Sequence, residues 1–110
     1  MNDLASKHCS PQHGPALSRP AAENLLNQLT GWTVDAAAKE LRRTFAFNDY
    51  HRSMAFVNAV AWIAHREDHH PDMAVGYNKV TVTFSTHSVA GLSENDFICA
   101  AKIDALVTPR

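Results

Sequence analysis

The feature that most constrains this chain is a single change in its apolar period. From Tyr50 onward the apolar side chains recur at helical spacing. At 100° per residue, Tyr50, Met54, Phe56, Val57, Val60, Ala61, Ile63 and Ala64 fall within one arc, with Arg52, Asn58, His65 and Arg66 outside it. Residues 79–85 instead alternate, with Val80, Val82 and Phe84 to one side and Lys79, Thr81, Thr83 and Ser85 to the other. Pro71 stands between the two patterns and pushes His70 toward extended geometry, so the helix stops there. A helix with one apolar stripe and a strand with one apolar face require a sheet covered by helices. The arc reads as core rather than as a cofactor-binding face. Trp62 lies outside it and marks a subunit contact or a partly covered surface position.

The remaining segments extend this plan. Pro20, after Ser18 or Arg19, opens a helix whose stripe is Leu25, Leu26 and Leu29, and Gly31 ends it. Trp32, Val34 and Ala36 alternate with polar residues, as do Leu41, Phe45 and Phe47, predicting two strands joined by a turn around residues 37–39. Asn48 or Asp49 caps the central helix. An extended or irregular stretch covers residues 72–76. Gly91 breaks the chain, and Ser93-Glu94-Asn95-Asp96 opens a last helix in capping-box style, its apolar side formed by Cys99, Ala100, Ile103, Leu106 and Val107. The expected fold is α+β: a mostly antiparallel sheet of three to four strands, with three helices packed on one face. Residues 1–19, with Pro11, Gly14 and Pro15 and no sustained period, read as a mobile leader; residues 20–110 read as one domain.

Charge and composition narrow the function. Ten Lys and Arg against eleven Asp and Glu leave a net charge of −1, which offers no footprint for nucleic acid or an anionic membrane. No apolar run approaches the ~18 residues of a membrane span, and residues 1–20 lack the apolar centre of a signal peptide, so a cytoplasmic protein is expected. Cys9 and Cys99 read as a leader thiol and a small core residue rather than as a disulfide.

Function points to the junction itself. His65-Arg66-Glu67-Asp68-His69-His70 runs into Pro71, and His87 follows the alternating strand. His65 and His69 stand at i and i+4, yet Arg66 occupies the place where a zincin carries its glutamate. Glu67 points about 200° away from His65 on a helix, and His69 and His70 are adjacent, so one ion is poorly served and no metal is expected. His8, Cys9 and His13 are too loosely spaced to suggest one either. Metal-free acid–base chemistry fits better. A helix ending at His69 and His70 presents two imidazoles at a loop mouth, and His87, on the polar face if extended geometry continues, can join them. Spacing alone leaves this reading level with three exposed histidines of no shared role, and it names no substrate. Ser85 and Thr86 lie near His87, but no nucleophile elbow or phosphate-cradling Gly-rich loop is present.

At these residues the chain resembles the pterin-4a-carbinolamine dehydratases. That family's signature places a charged residue or His four positions before His-His-Pro, then an aromatic residue, a His and an Asp at set gaps. His65, His69-His70-Pro71, Tyr77, His87 and Asp96 meet each requirement. Tyr77-Asn78-Lys79-Val80, Ser85-Thr86-His87 and Gly91-Leu92-Ser93 are also similar to the family. The resemblance covers about residues 22–106 and leaves residues 1–19 outside.

The resemblance implies dehydration of 4a-hydroxytetrahydrobiopterin to quinonoid dihydropterin, which recycles the pterin of aromatic amino acid hydroxylases, with no metal or bound cofactor. It implies His69 and His87 as the acid/base pair at the 4a-hydroxyl, with His70 holding or deprotonating the ring system. It implies substrate contacts from Asp68, Ser85, Thr86 and Ser88, with Trp32 near the pocket or in the core. Tyr77 and Asp96 belong to the signature but read as structural residues, Asp96 as a helix cap. His65 replaces the family's more usual Glu, which can orient a neighbouring catalytic His. The partners implied are a small-molecule pterin, a homodimer or homotetramer, and an aromatic amino acid hydroxylase. The alternative reading is a non-catalytic binding or dimerisation module, acting as a transcriptional coactivator or hydroxylase regulator.

Overall fold

A computed structural model describes residues 3–108. Helix α1 (Arg19–Leu26) begins at Ser18, whose hydroxyl accepts the Ala21 N–H, and carries Pro20 in its first turn. Strands β1 (Thr33–Val34) and β2 (Leu41–Ala46) follow. Helix α2 (Tyr50–Glu67) is capped by Asp49, which accepts the Arg52 N–H. Strands β3 (Asp72–Val75) and β4 (Lys79–Phe84) lead to helix α3 (Glu94–Val107). The four strands lie in the order β1-β2-β4-β3, every neighbouring pair antiparallel, so the α+β fold is as the sequence predicts.

The register shows why one face of this sheet is dry. Leu41, Arg43 and Phe45 of β2 stand opposite Phe84, Val82 and Val80 of β4. All of these except Arg43 are buried. The alternate residues meet on the other face, where the Thr44 and Thr81 hydroxyls lie 2.8 Å apart and Arg42 Nε donates to Thr83 Oγ1. Against the dry face pack Phe56 and Val60 of α2, and Phe97, Ile98 and Ile103 of α3. Among the described residues no helix is long and apolar enough to cross a membrane.

Several positions differ from the sequence reading. Tyr50 and Ala61, placed in the apolar arc of α2, are exposed; the buried face is centred on Ser53, Phe56 and Val60. Ser53 can face inward because its hydroxyl donates to the Asp49 and Tyr77 carbonyls. Leu106 and Val107, at the end of α3, are also exposed, whereas earlier turns are buried nearly all round. The segment read as a leader is laid against the domain over its described part. Leu4 is 1% exposed within the core, and the Leu17 N–H donates to the Leu92 carbonyl. Leu4 lies in a 3-10 turn of three residues (Leu4–Ser6), too short to set up a period that would announce it.

Candidate active site

The site is assembled where α2 ends. Asp68 adopts a left-handed conformation (φ 52°, ψ 44°), a position usually given to Gly. The N–H groups of Asp68 and His69 both donate to the Ala64 carbonyl, the closing pattern of a helix terminated by such a residue. The chain therefore turns before Pro71 is reached. The turn sets the His69 ring parallel to Phe84, with centroids 5.8 Å apart and planes 7° apart. Its Nε2 lies 2.6 Å from Asp96 Oδ1.

Asp96 is fully buried and is held from several sides. Its Oδ2 accepts the Thr86 hydroxyl at 2.8 Å and the Ser93 backbone N–H at 3.0 Å, the latter being the returning half of a capping box. A carboxylate that already accepts two donors on one oxygen offers the other as an acceptor, so His69 carries its proton on Nε2 and keeps Nδ1 unprotonated when neutral. Asp96 thus begins α3 and also fixes the tautomer of His69. Its place in the cap was readable from local sequence; its contact with a ring 27 positions away was not. His65, where a carboxylate would be usual, lies instead on the exposed side of α2 beside Trp62, 5.7 Å between rings.

The second wall is the loop after β4. The Thr86 N–H donates to the Gly91 carbonyl at 2.7 Å, and the Gly91 N–H returns to Thr86 at 3.4 Å, closing a loop around the 3-10 turn His87–Val89. Ala90 ends that turn at a positive φ of 54°. Extended geometry therefore stops short of His87, and the alternation that placed it on the polar face of a strand does not reach it. His87 is exposed within the turn.

Residues 9–13 supply the third wall, and sequence reasoning missed them. The Cys9 N–H donates to Glu67 Oε1 at 2.7 Å, and His8 Nδ1 lies 3.0 Å from Oε2 of the same carboxylate. Asn95 grips the next residue from both sides: Oδ1 accepts the Ser10 N–H and Nδ2 donates to the Ser10 carbonyl. The Ser88 hydroxyl donates to the Gln12 carbonyl, tying this wall to the loop that holds His87. Gly91 lets the chain that follows this wall pass close to the loop, since a Cβ there would come within 2.7 Å of Ala16 Cβ. Burial pushes the Glu67 carboxyl up, but the Cys9 N–H, His8 and Lys102 outweigh it and hold the group below its ordinary value. The available signal was a density of His and Cys, at His8, Cys9 and His13, in a segment without period.

Between the three walls lies a cleft of about 470 Å³. It is lined by Asp68, His69 and His70 from the end of α2 and by Ser85, Thr86, His87 and Ser88 from the loop, so these predicted residues come together. The Thr86 hydroxyl is committed to Asp96 and lies 2.7 Å from Ser93 Oγ, which makes Thr86 a brace behind His69. Trp32 is not among the lining residues. It lies 5% exposed in the core, packed on Phe45 and Phe84, and its indole N–H donates to Asp104 Oδ1 at 2.8 Å. It stands just before β1 with its ring in the core, one aromatic ring removed from His69. Among the described residues no three His, Cys, Asp or Glu side chains converge as a metal-ligand set.

Comparison with known proteins places this geometry. Residues 15–106 match the model of the family described as pterin 4 alpha carbinolamine dehydratase. A protein of Nitrosospira multiformis is 56% identical over 108 residues, covering 96% of this chain and 94% of its own. One of Stenotrophomonas maltophilia is 55% identical over 105 residues, covering 94% and 90%. Both carry the provisional name pterin-4-alpha-carbinolamine dehydratase. The similarity extends further toward the N-terminus than residue 22. Among solved structures, a transcriptional coactivator/pterin dehydratase from Brucella melitensis superposes with a TM-score of 0.80 at 32% identity, over 84% of this chain and 99% of its own. A pterin dehydratase-like protein identified as a RuBisCO assembly factor in the alpha-carboxysome gives 0.60 at 27% identity, over 69% and 88%.

Proposed function

The chain belongs to the pterin 4 alpha carbinolamine dehydratase family, and from that premise we propose that it dehydrates 4a-hydroxytetrahydrobiopterin by histidine acid–base catalysis without a metal. The observation that carries this reading is the convergence of His69, His70 and His87 on one cleft, with Asp96 behind His69. A volume of about 470 Å³ is within the usual range for small-molecule sites.

The reaction breaks the C4a–O bond, removes the N5 proton and forms the C4a–N5 double bond, releasing water and quinonoid dihydropterin. His69 suits the base: Nδ1 takes the N5 proton, and Asp96 stabilises the imidazolium that forms. His87, exposed on its turn, suits the acid that delivers a proton to the departing hydroxyl. His70, exposed on the adjacent wall, holds the ring system. Asp68 and Ser85 offer polar contacts to the pterin's amide edge. Each acid–base group is worth about 10²–10⁴-fold. Self-association as a dimer or tetramer would be built on Trp62, which is 61% exposed on α2. An aromatic amino acid hydroxylase is the partner this reaction serves.

Stopped-flow absorbance of 4a-hydroxytetrahydropterin decay tests the proposal. Wild type should exceed the spontaneous rate, and His69→Ala and His87→Ala should each lose at least ~10²-fold of that acceleration. No acceleration by folded wild type would remove the enzyme reading. It would leave the binding module, which is supported by the coactivator and assembly-factor descriptions of the two structural relatives.

A further inference from the structure

Cys9 and Cys99, which sequence separation sets apart, meet in the fold with their sulfurs 3.5 Å apart. Cys99 is fully buried on α3, and Cys9 is half-buried on the wall of the cleft. The neighbourhood is tightly framed. Cys9 Sγ lies 3.7 Å from the Asn95 carbonyl, and Cys99 Sγ lies 3.9 Å from the carbonyl of His69. We propose that Cys9 and Cys99 are a reversible disulfide site, closed by a hydroperoxide oxidant, that fastens the N-terminal wall of the cleft to α3.

A disulfide needs about 2 Å between the sulfurs, so closure asks for a movement of roughly 1.5 Å. The backbone around Cys9 is held in place by hydrogen bonds. Glu67 holds the Cys9 N–H, and Asn95 holds both backbone groups of Ser10. With that segment held, the approach of roughly 1.5 Å is asked of the two cysteine side chains.

Exposure sets the order of events. The Cys99 thiol is pushed up by its hydrogen bond with the Cys9 thiol and by burial, so it is the poorer first nucleophile. The Cys9 sulfur attacks the distal peroxide oxygen, breaking the O–O bond and giving Cys9 sulfenic acid and one molecule of water or alcohol. The Cys99 sulfur then attacks the Cys9 sulfur, and the hydroxyl leaves with a proton as water. Two thiols lose two electrons and two protons; the hydroperoxide gains them. A dithiol reverses the step by thiol–disulfide exchange. Oxidation converts a wall held by hydrogen bonds into one held covalently, whether or not the cleft acts on a pterin.

The test uses the full-length protein, fully reduced, then treated with stoichiometric hydrogen peroxide, alkylated and weighed intact. The proposal expects a monomer lighter by two hydrogens, with no alkylated thiol, a Cys9 to Cys99 cross-linked peptide pair, and full recovery on adding dithiothreitol. Hydrogen exchange at the amides of Cys9, Ser10 and Gln12 should slow by about tenfold or more on oxidation, since opening of this segment is then tethered. Cys9→Ser should leave Cys99 unoxidised under the same treatment, as one alkylatable thiol. Cys99→Ala should stop at a Cys9 sulfenic acid that dimedone traps; if that core variant does not fold, the Cys9→Ser comparison stands alone. Two alkylatable thiols after treatment, Cys9 sulfinic acid in wild type, or a disulfide between two chains would each overturn the proposal.

Discussion

Helix α3 holds two ring nitrogens with two carboxylates about two turns apart, and the pairs differ in what the ring can do next. Asp96 receives His69 Nε2 at 2.6 Å, and Asp104 receives Trp32 Nε1 at 2.8 Å. An indole has no second nitrogen, so the Asp104 contact ends in packing: Trp32 lies against Phe45 and Phe84, and Arg43 donates to the same Asp104 oxygen at 2.7 Å. An imidazole held in the same way keeps Nδ1, and His69 lines the cleft. On the proposed function, the same bond is architecture at one end of the helix and serves proton transfer at the other. What separates them is the ring's second nitrogen and its access to a cavity.

The sharpest way to break this contrast is at His69. His69→Ala should abolish at least ~10²-fold of the rate acceleration while thermal unfolding stays cooperative; an active variant would make the Asp96 contact purely structural. Trp32→Phe addresses the other pair. It should cost about 2 kcal/mol in urea unfolding, from a lost hydrogen bond and a small cavity, with KM unchanged. A raised KM would put the indole back at the substrate.

His65→Glu is a finer probe. With His69 already on Asp96, restoring a carboxylate on the exposed face of α2 should leave turnover within about tenfold. A larger gain would show that Asp96 alone does not set the state of His69. The smallest effect is in the pH dependence of Asp104. Burial raises its carboxyl above the ordinary 3.8, outweighing Trp32 and Arg43. A raised carboxyl stabilises the fold most below its unfolded value and loses that contribution as pH rises through the folded one. The stability advantage of wild type over Asp104→Asn should therefore shrink as pH rises through the acid range. An advantage that grows would reverse the balance between burial and pairing.

The contrast also marks where sequence stops being readable. Strand β4, the cap at Asp49 and the opening of α3 at Ser93 were legible because each depends on neighbours within a few positions. His69, His70 and His87 stood out by type and spacing, and all three line the cleft. Asp96 was legible only as a cap, because its meeting with His69 depends on how α2 and α3 pack. Trp32 shows the reverse: a tryptophan before a strand looks the same in sequence whether its N–H meets a ligand or a buried carboxylate. Residues 9–13 were hidden for a third reason. They have no period, and their partners Glu67 and Asn95 lie on helices far along the chain.

The most direct measurement is stopped-flow decay of 4a-hydroxytetrahydropterin with Asp96→Asn beside Asp104→Asn, at a temperature where both remain folded. Asp96→Asn should lose at least about tenfold of the wild-type acceleration, and Asp104→Asn should keep its rate within about threefold. Equal losses in the two variants, or a larger loss in Asp104→Asn, would contradict the assignment of chemistry to one end of α3 and architecture to the other.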